Sequence, residues 1–303
     1  MKGVHLNAFI LLTRRENKMI NKHPCFSVDA HNKFGRIHLP VAPLCNIQCK
    51  YCIRKYDCAN ESRPGITSKV MSPAEALERA DAVVKRNDNI SVVGIAGPGD
   101  PLANEMTFET LSLIHKSFPS LILCVSTNGL CLTDRLEDLM KSGVRSLTVT
   151  INSVTPDTAE KIYSWAYYKG QRLAGREAAK CIVTNQWRGL RNAIDAGFIV
   201  KVNTVFIPGI NNVEIPLIAW RAGEMGADIM NIMPLMPQAE FRHLERPSGE
   251  MLKKKRDMCA PNIPQMTHCR QCRADACGVL GEDKDMELEL LNSRIGEEYC
   301  EMV

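Results

Sequence analysis

The sequence has no apolar run near the roughly 18 to 20 residues that cross a bilayer, so it offers no transmembrane helix. Its one early apolar stretch, Ala8-Phe9-Ile10-Leu11-Leu12, is short for a secretory signal. It is followed by Thr13-Arg14-Arg15-Glu16 and not by the small residues of a cleavage site. A cytoplasmic chain is expected, with no membrane partner. A strong charge bias is missing too. The 38 basic and 34 acidic residues leave a net charge of +4, too little to argue for nucleic acid. No repeat of fixed period is visible.

Cysteine is what the sequence does have: 13 in 303 residues, in a chain that is 45% hydrophobic. A secreted disulfide scaffold is short and loop-rich, whereas this chain can bury a large core. Its cysteines therefore read as metal or cluster ligands. They gather in two places: Cys45, Cys49, Cys52 and Cys58, then Cys259, Cys269, Cys272 and Cys277.

Six apolar, β-rich runs cover Gly35–Ala42, Ile90–Ala96, Leu121–Ser126, Ser146–Ile151, Ile199–Ile207 and Asp228–Pro234. Amphipathic stretches separate them. Ser72-Pro73-Ala74-Glu75 is a capping box with proline in the first turn. Thr133-Asp134 and Thr155-Pro156-Asp157 are similar helix starts, and Gly143 and Gly197 are stops. The alternation predicts an α/β fold with a parallel sheet, curled into a partial or complete TIM-like β/α barrel. We divide the chain into an N-terminal segment (1–34), the barrel core (35–237) and a cysteine-rich C-terminal extension (238–303) that closes over the barrel mouth. The extension ends in an acidic, helix-like stretch, Glu282–Glu289.

Chemistry in such barrels sits at the C-terminal strand ends, and the unusual residues fall there. Cys45, Cys49 and Cys52 follow the first run in a CxxxCxxC spacing. Three thiolates can hold three irons of a 4Fe–4S cube and leave the fourth open. That is what chelation of S-adenosylmethionine (SAM) by its amino and carboxylate groups needs. Tyr51, just before Cys52, stands where radical SAM enzymes usually carry an aromatic. A zinc site is the plainer reading of such a triplet, but its place after the first strand favours a cluster. Gly97-Pro98-Gly99-Asp100 ends the second run, where glycines let a ligand approach backbone and Asp100 can anchor the SAM amine. Ser126, Asn128 and Asn152 end later runs and suit ribose or carboxylate contacts, with ordinary turn chemistry as the alternative.

Taken together, these motifs resemble the NifB family of radical SAM proteins. The likeness rests on His23-Pro24-Cys25, the triplet, Glu61-Ser62-Arg63-Pro64-Gly65, Ala96-Gly97-Pro98-Gly99-Asp100-Pro101-Leu102-Ala103, Thr148-Val149-Thr150-Ile151-Asn152, and Cys269-x2-Cys272-Arg273-Ala274-Asp275-Ala276-Cys277-Gly278. Many members carry a further cofactor-binding domain. This chain resembles the short stand-alone form. The resemblance implies a carbide synthase that methylates and fuses two further 4Fe–4S clusters, K1 and K2, into an eight-iron precursor of the nitrogenase cofactor. SAM would be both methyl and radical source. It also implies iron–sulfur cluster donor and acceptor proteins as partners, and an electron donor such as a ferredoxin.

The family pattern places the first of these clusters on Cys25, His38 and Cys124 and the second on Cys259, Cys269 and Cys272. Read locally, Cys124 can be a small buried hydrophobe and His38 a core histidine. The C-terminal cysteines can form a zinc knuckle with His268 as fourth ligand, and Cys277 can substitute within the set. Cys58 and Glu61 can be transient ligands or acid–base groups, or part of a solvated loop. Arg63 can pair with a carboxylate or an anionic cluster. Cys131, Cys181 and Cys300 read as plain thiols. A molybdenum-cofactor cyclase would usually end in Gly-Gly, whereas this chain ends Cys300-Glu301-Met302-Val303. A peptide maturase would need more tail cysteines, and a non-enzymatic iron–sulfur scaffold would not cleave SAM.

Overall fold

The computed structural model describes residues 19–62 and 65–279. In chain order its elements are α1 (Val28–Lys33), β1 (Gly35–His38), β2 (Ile47–Cys49), α2 (Pro73–Arg86), β3 (Ile90–Ile95), α3 (Glu105–Ser117), β4 (Ile122–Thr127), α4 (Leu132–Lys141), β5 (Ser146–Thr150), α5 (Pro156–Ile162), β6 (Tyr163–Tyr168), β7 (Gln171–Ala174), α6 (Gly175–Asp195), β8 (Ile199–Phe206), α7 (Ile215–Met225), β9 (Ile229–Pro234), α8 (Gly249–Cys259) and β10 (Cys277–Val279). The six expected runs all enter one sheet, ordered β10-β1-β3-β4-β5-β8-β9. Strands β1 to β9 in that order are parallel, and β10 is antiparallel to β1. The fold is thus an α/β partial barrel. Among the described residues no helix is long and apolar enough to cross a membrane.

Strand alternation sorts the side chains. Ile37, Val93, Val125, Leu147, Val149, Val200, Val202 and Ile232 are buried in the main apolar core. The opposite face carries His38, Cys124, Ser126, Thr148, Lys201, Asn203 and Asn231, which line the barrel interior. Register sets these side by side: His38 pairs with Gly94 and Gly94 with Cys124, while Ser126 pairs with Thr148 and Thr148 with Lys201. A polar face inside an otherwise apolar sheet marks a built site.

Helix starts follow the local chemistry. Ser72 and Glu75 form the reciprocal capping box ahead of α2, and Thr155 caps α5. The start read at Thr133-Asp134 lies earlier: α4 begins at Leu132, with Cys131 as its uncapped N-terminal neighbour.

Two features differ from expectation. A separate sheet, β2-β6-β7, stands beside the barrel. Its hairpin turns at Lys169 (φ 49°) and Gly170 (φ 79°), two left-handed residues in a row, as the tightest hairpin turns require. The described part of the extension also reaches beyond the barrel mouth, where the Glu240 amide donates to the Lys50 carbonyl (2.9 Å) and Phe241 packs against Tyr51. Gln265 bridges Met230, near the start of β9, and residues 277–279 pair with β1 at the opposite edge. Residues 265–279 therefore cross the gap that six parallel strands leave open, with Ala274 against Gly97 after β3 and its amide donating to Asp57 (3.4 Å). The stretch 282–289 lies outside the described residues.

Candidate active site

Two cavities follow one another along the barrel interior. The outer, of about 370 Å³, is lined by Cys45, Cys49, Cys52 and Cys58 with Arg54, Asn60, Glu61, Gly99, Asp100, Ser126 and Asn128. The inner, of about 630 Å³, is lined by His23, Cys25, Arg36, His38, Cys124, Lys201, Cys269 and Cys272, among others. Glu61 and Ser126 line both.

The triplet loop owes its shape to its neighbours. Cys49 ends β2, which is held by β6. Gly99 follows β3, and a Cβ there would lie 2.1 Å from the Leu44 carbonyl oxygen. This glycine lets the loop press on the chain entering the triplet, and it also lines the outer cavity. Gly97 adopts φ 137° and accepts from the Ala42 amide. Asp100 is fully engaged. Its carboxylate accepts from the amides of Leu102 (3.0 Å) and Asn128 (2.6 Å) and from the Thr127 hydroxyl (2.9 Å). It ties β3 to β4 at the cavity wall. Asn152 is fully buried: its amide nitrogen donates to Tyr51 (2.8 Å) and Tyr163 (3.2 Å), and its oxygen accepts from Val205 N–H. It steadies Tyr51, which donates to Asn60 (2.6 Å), and it lines neither cavity. Asn128 lines the outer cavity and donates to Asn46 (2.7 Å) and, more distantly, to the Cys45 sulfur (3.7 Å).

Charge is unusual throughout. Burial pushes the Cys49 thiol up to about 12, and nearby Cys52 and Cys45 add to it. Burial does the same to Cys124 and Cys272, both to about 12. Without metal these thiols are neutral, so cluster binding must expel protons. Burial opposes the charge of Arg54, but Cys45, Cys52 and Cys49 around it raise its pKa further. Glu61 is raised to about 7 by burial, against hydrogen bonds from Thr150 and the charge of Lys201. Its oxygens accept from Thr150 (2.5 Å) and Asn203 (3.0 Å).

The inner cavity brings together Cys25, His38, Cys124, Cys269 and Cys272. The ring of His38 lies over Gly94, where a Cβ would meet its Cδ2 at 3.0 Å. Nδ1 donates to the Arg273 carbonyl (3.0 Å). A carbonyl only accepts, so Nε2 carries the lone pair, the tautomer a metal ligand needs.

Cys259 does not join this set. It is fully buried in the main core at the end of α8, with its thiol towards the Ile215 carbonyl (3.9 Å). The residues between it and Cys269 are spent crossing from the helical layer to the sheet edge. Cys277 is likewise buried in the core, in β10 opposite Ile37. His268 donates to the Pro24 carbonyl (3.1 Å), so the four donors of a zinc knuckle are not assembled. Arg63 lies outside the described residues.

Sequence reasoning missed Lys201, Arg36 and Arg54, and gave His23 no role beyond its place in the His23-Pro24-Cys25 motif. Arg36 is buried, with its guanidinium on the Gly278 carbonyl (2.7 Å) and the Cys272 sulfur (3.0 Å). The signal available was position: Arg36 and Lys201 are charged residues inside otherwise apolar strand runs.

A partial parallel barrel with a cysteine triplet after its first strand defines a radical SAM protein. The Radical SAM superfamily model matches residues 39–219. Among solved structures, Streptococcus suis SuiB shares the fold, with a TM-score of 0.54 at 12% identity, covering 83% of this chain and 53% of that one. SuiB bound to S-adenosylmethionine gives a TM-score of 0.52.

More specifically, the chain belongs to the NifB family. It is 46% identical over 276 residues to the FeMo cofactor biosynthesis protein NifB of Klebsiella pneumoniae, covering 89% of this chain and 59% of that protein. It is 45% identical to the NifB of Chlorobaculum tepidum, covering 89% and 64%. For the NifB of Methanocaldococcus infernus the identity is 45%, and each chain is 87% covered.

Proposed function

We propose that the chain is a radical SAM carbide synthase of nitrogenase cofactor assembly. It methylates and fuses two 4Fe–4S clusters, with one added sulfur, into an eight-iron, carbide-containing precursor. The observation that carries this reading is the second set of cluster donors. Cys25, His38, Cys124, Cys269 and Cys272 face one inner cavity that adjoins the triplet's cavity through Glu61 and Ser126.

Cys45, Cys49 and Cys52 would carry the SAM cluster, which when bound supplies the electron that cleaves SAM. Gly99, Ser126 and Asn128 shape the SAM side of the outer cavity, while Gly97, Asp100 and Asn152 hold its walls in place. The substrate clusters would sit on Cys25, His38 and Cys124, and on Cys269 and Cys272 without Cys259. Glu61, and Cys58 beside the triplet, stand where a proton or a transient ligand is needed between the two spaces. Iron–sulfur cluster donor and acceptor proteins would deliver substrate and take product, with a ferredoxin-like electron donor.

The test separates the two cavities. In anaerobically reconstituted protein, Cys45→Ala, Cys49→Ala and Cys52→Ala should each abolish 5′-deoxyadenosine formation while the substrate-cluster iron stays bound. Near-normal 5′-deoxyadenosine from any of them would sink the assignment.

A further inference from the structure

Fusion brings two anions together. A 4Fe–4S core carries +2 when oxidised and +1 when reduced, so each reduced cube on two thiolates is an anion, and in a cavity of low effective dielectric two such charges repel strongly. The inner cavity has an answer built into it. Lys201 lies on β8, fixed in register between Thr148 of β5 and Ile229 of β9, and is only 7% exposed. Cys25, Cys124, Cys269 and Glu61 line the same cavity as Lys201. Cys25 and Cys124 belong to the first expected ligand set and Cys269 to the second. One buried ammonium thus shares a cavity with both.

The other cations of the cavity wall are differently placed. Arg36 donates to the Gly278 and Val279 carbonyls and to the sulfur of Cys272, and Arg270 comes from the crossing segment. A second donor accompanies Lys201. His23 is 3% exposed and lines the same cavity. Its Nδ1 accepts from the Cys25 amide (3.2 Å), so in the neutral ring Nε2 bears the hydrogen. That buried N–H has no acceptor among the described residues. An orphaned donor beside a cavity is costly unless a ligand satisfies it, and sulfide or thiolate sulfur is an acceptor of the right kind.

We propose that Lys201 binds between the two substrate clusters and holds them in contact against their mutual repulsion, with His23 Nε2–H donating to a sulfur on the Cys25 side. This rests on the cluster-binding role given above to the inner cavity. Lysine suits the place because its ammonium is a compact charge with three donors on a flexible stem, able to keep contact as two clusters become one.

The experiment compares anaerobically reconstituted wild type with Lys201→Met, Lys201→Arg and His23→Phe. Iron and sulfide per chain are measured, with substrate-cluster reduction potentials by EPR-monitored titration. Lys201→Met should lose substrate-cluster iron roughly twofold, as one cluster is no longer tolerated beside the other. The potential of the remaining cluster should move to lower values, because a compensating positive charge is gone. Lys201→Arg should restore both, which a purely structural role would not require. His23→Phe should weaken loading on the Cys25 side without moving the potential as far. Lys201→Met with wild-type iron and unshifted potentials would overturn the proposal, as would failure of Lys201→Arg to rescue. Lys201→Gln provides a second neutral variant, read the same way, if the Met variant does not fold. A wild type that holds only one cluster's iron would overturn the cavity assignment itself, which separates that failure from this one.

Discussion

Glu61 stands between the two cavities with its carboxyl raised to about 7, chiefly by burial. The sign of its effect on stability follows. Below the ordinary carboxylate range it is neutral folded or unfolded and contributes nothing. Between about 4.5 and 7 the folded state increasingly resists ionisation, and above 7 the penalty is constant, on the order of 3 kcal/mol. In metal-free protein, Glu61→Gln should therefore gain melting temperature relative to wild type as pH rises from 5 to 8. A difference that does not change with pH would contradict a buried, titrating Glu61. For His38, the geometry that fixes its tautomer also fixes its test. His38→Ala should lower substrate-cluster loading by roughly tenfold or more, as metal sites commonly do when a supporting group is lost. It should also remove a nitrogen coupling from the pulsed EPR of the loaded wild type. A coupling that survives the change would return His38 to the core. The triplet was legible in the sequence because its three ligands sit on one short loop, so spacing alone carries the geometry. Lys201 and His23 were not, because their meaning depends on strand register and on a distant tail. Cys259 was grouped with Cys269 and Cys272 by the family pattern, whereas the path of the chain sets its thiol in the main core and not on the inner cavity.

The loop after β3 shows how one element supports another. Asp100 accepts three internal hydrogen bonds, and Gly99 presses on Leu44. Asp100→Ala leaves buried donors unpaired and should cost about 2–4 kcal/mol in denaturant unfolding. Gly99→Ala should displace the chain entering the triplet and lower SAM-cluster occupancy, while the far-UV circular dichroism stays that of the wild type. Full SAM-cluster iron in Gly99→Ala would contradict this coupling. The glycine-rich string was legible as important, but part of its duty is to the protein's own backbone. The six parallel strands were legible because period-two alternation and helix caps agree along most of the barrel. The β6–β7 hairpin was not, although Tyr163–Tyr168 followed by Lys169-Gly170 is a β-rich run ending in a turn pair; it falls directly after α5, where a single apolar pattern hid the change of period.

The whole molecule is a barrel that six parallel strands do not close. The gap is crossed by residues 265–279, which bring Cys269 and Cys272 to a wall that Cys25, from before β1, also reaches. The two ends of the described chain thus complete one cavity, and a scaffold with one SAM cluster would need neither. This closure was beyond sequence reasoning because it depends on which strand edges stay unpaired. The measurement that tests the central claim most directly is product analysis of fully reconstituted, reduced protein given SAM. Methyl donation releases S-adenosylhomocysteine and radical cleavage releases 5′-deoxyadenosine. The expected result is both co-products in equal amounts from loaded protein, with an eight-iron cluster recovered from it, and no S-adenosylhomocysteine before the substrate clusters are loaded. Cleavage to 5′-deoxyadenosine without S-adenosylhomocysteine in loaded protein, or no cleavage at all, would contradict a carbide synthase.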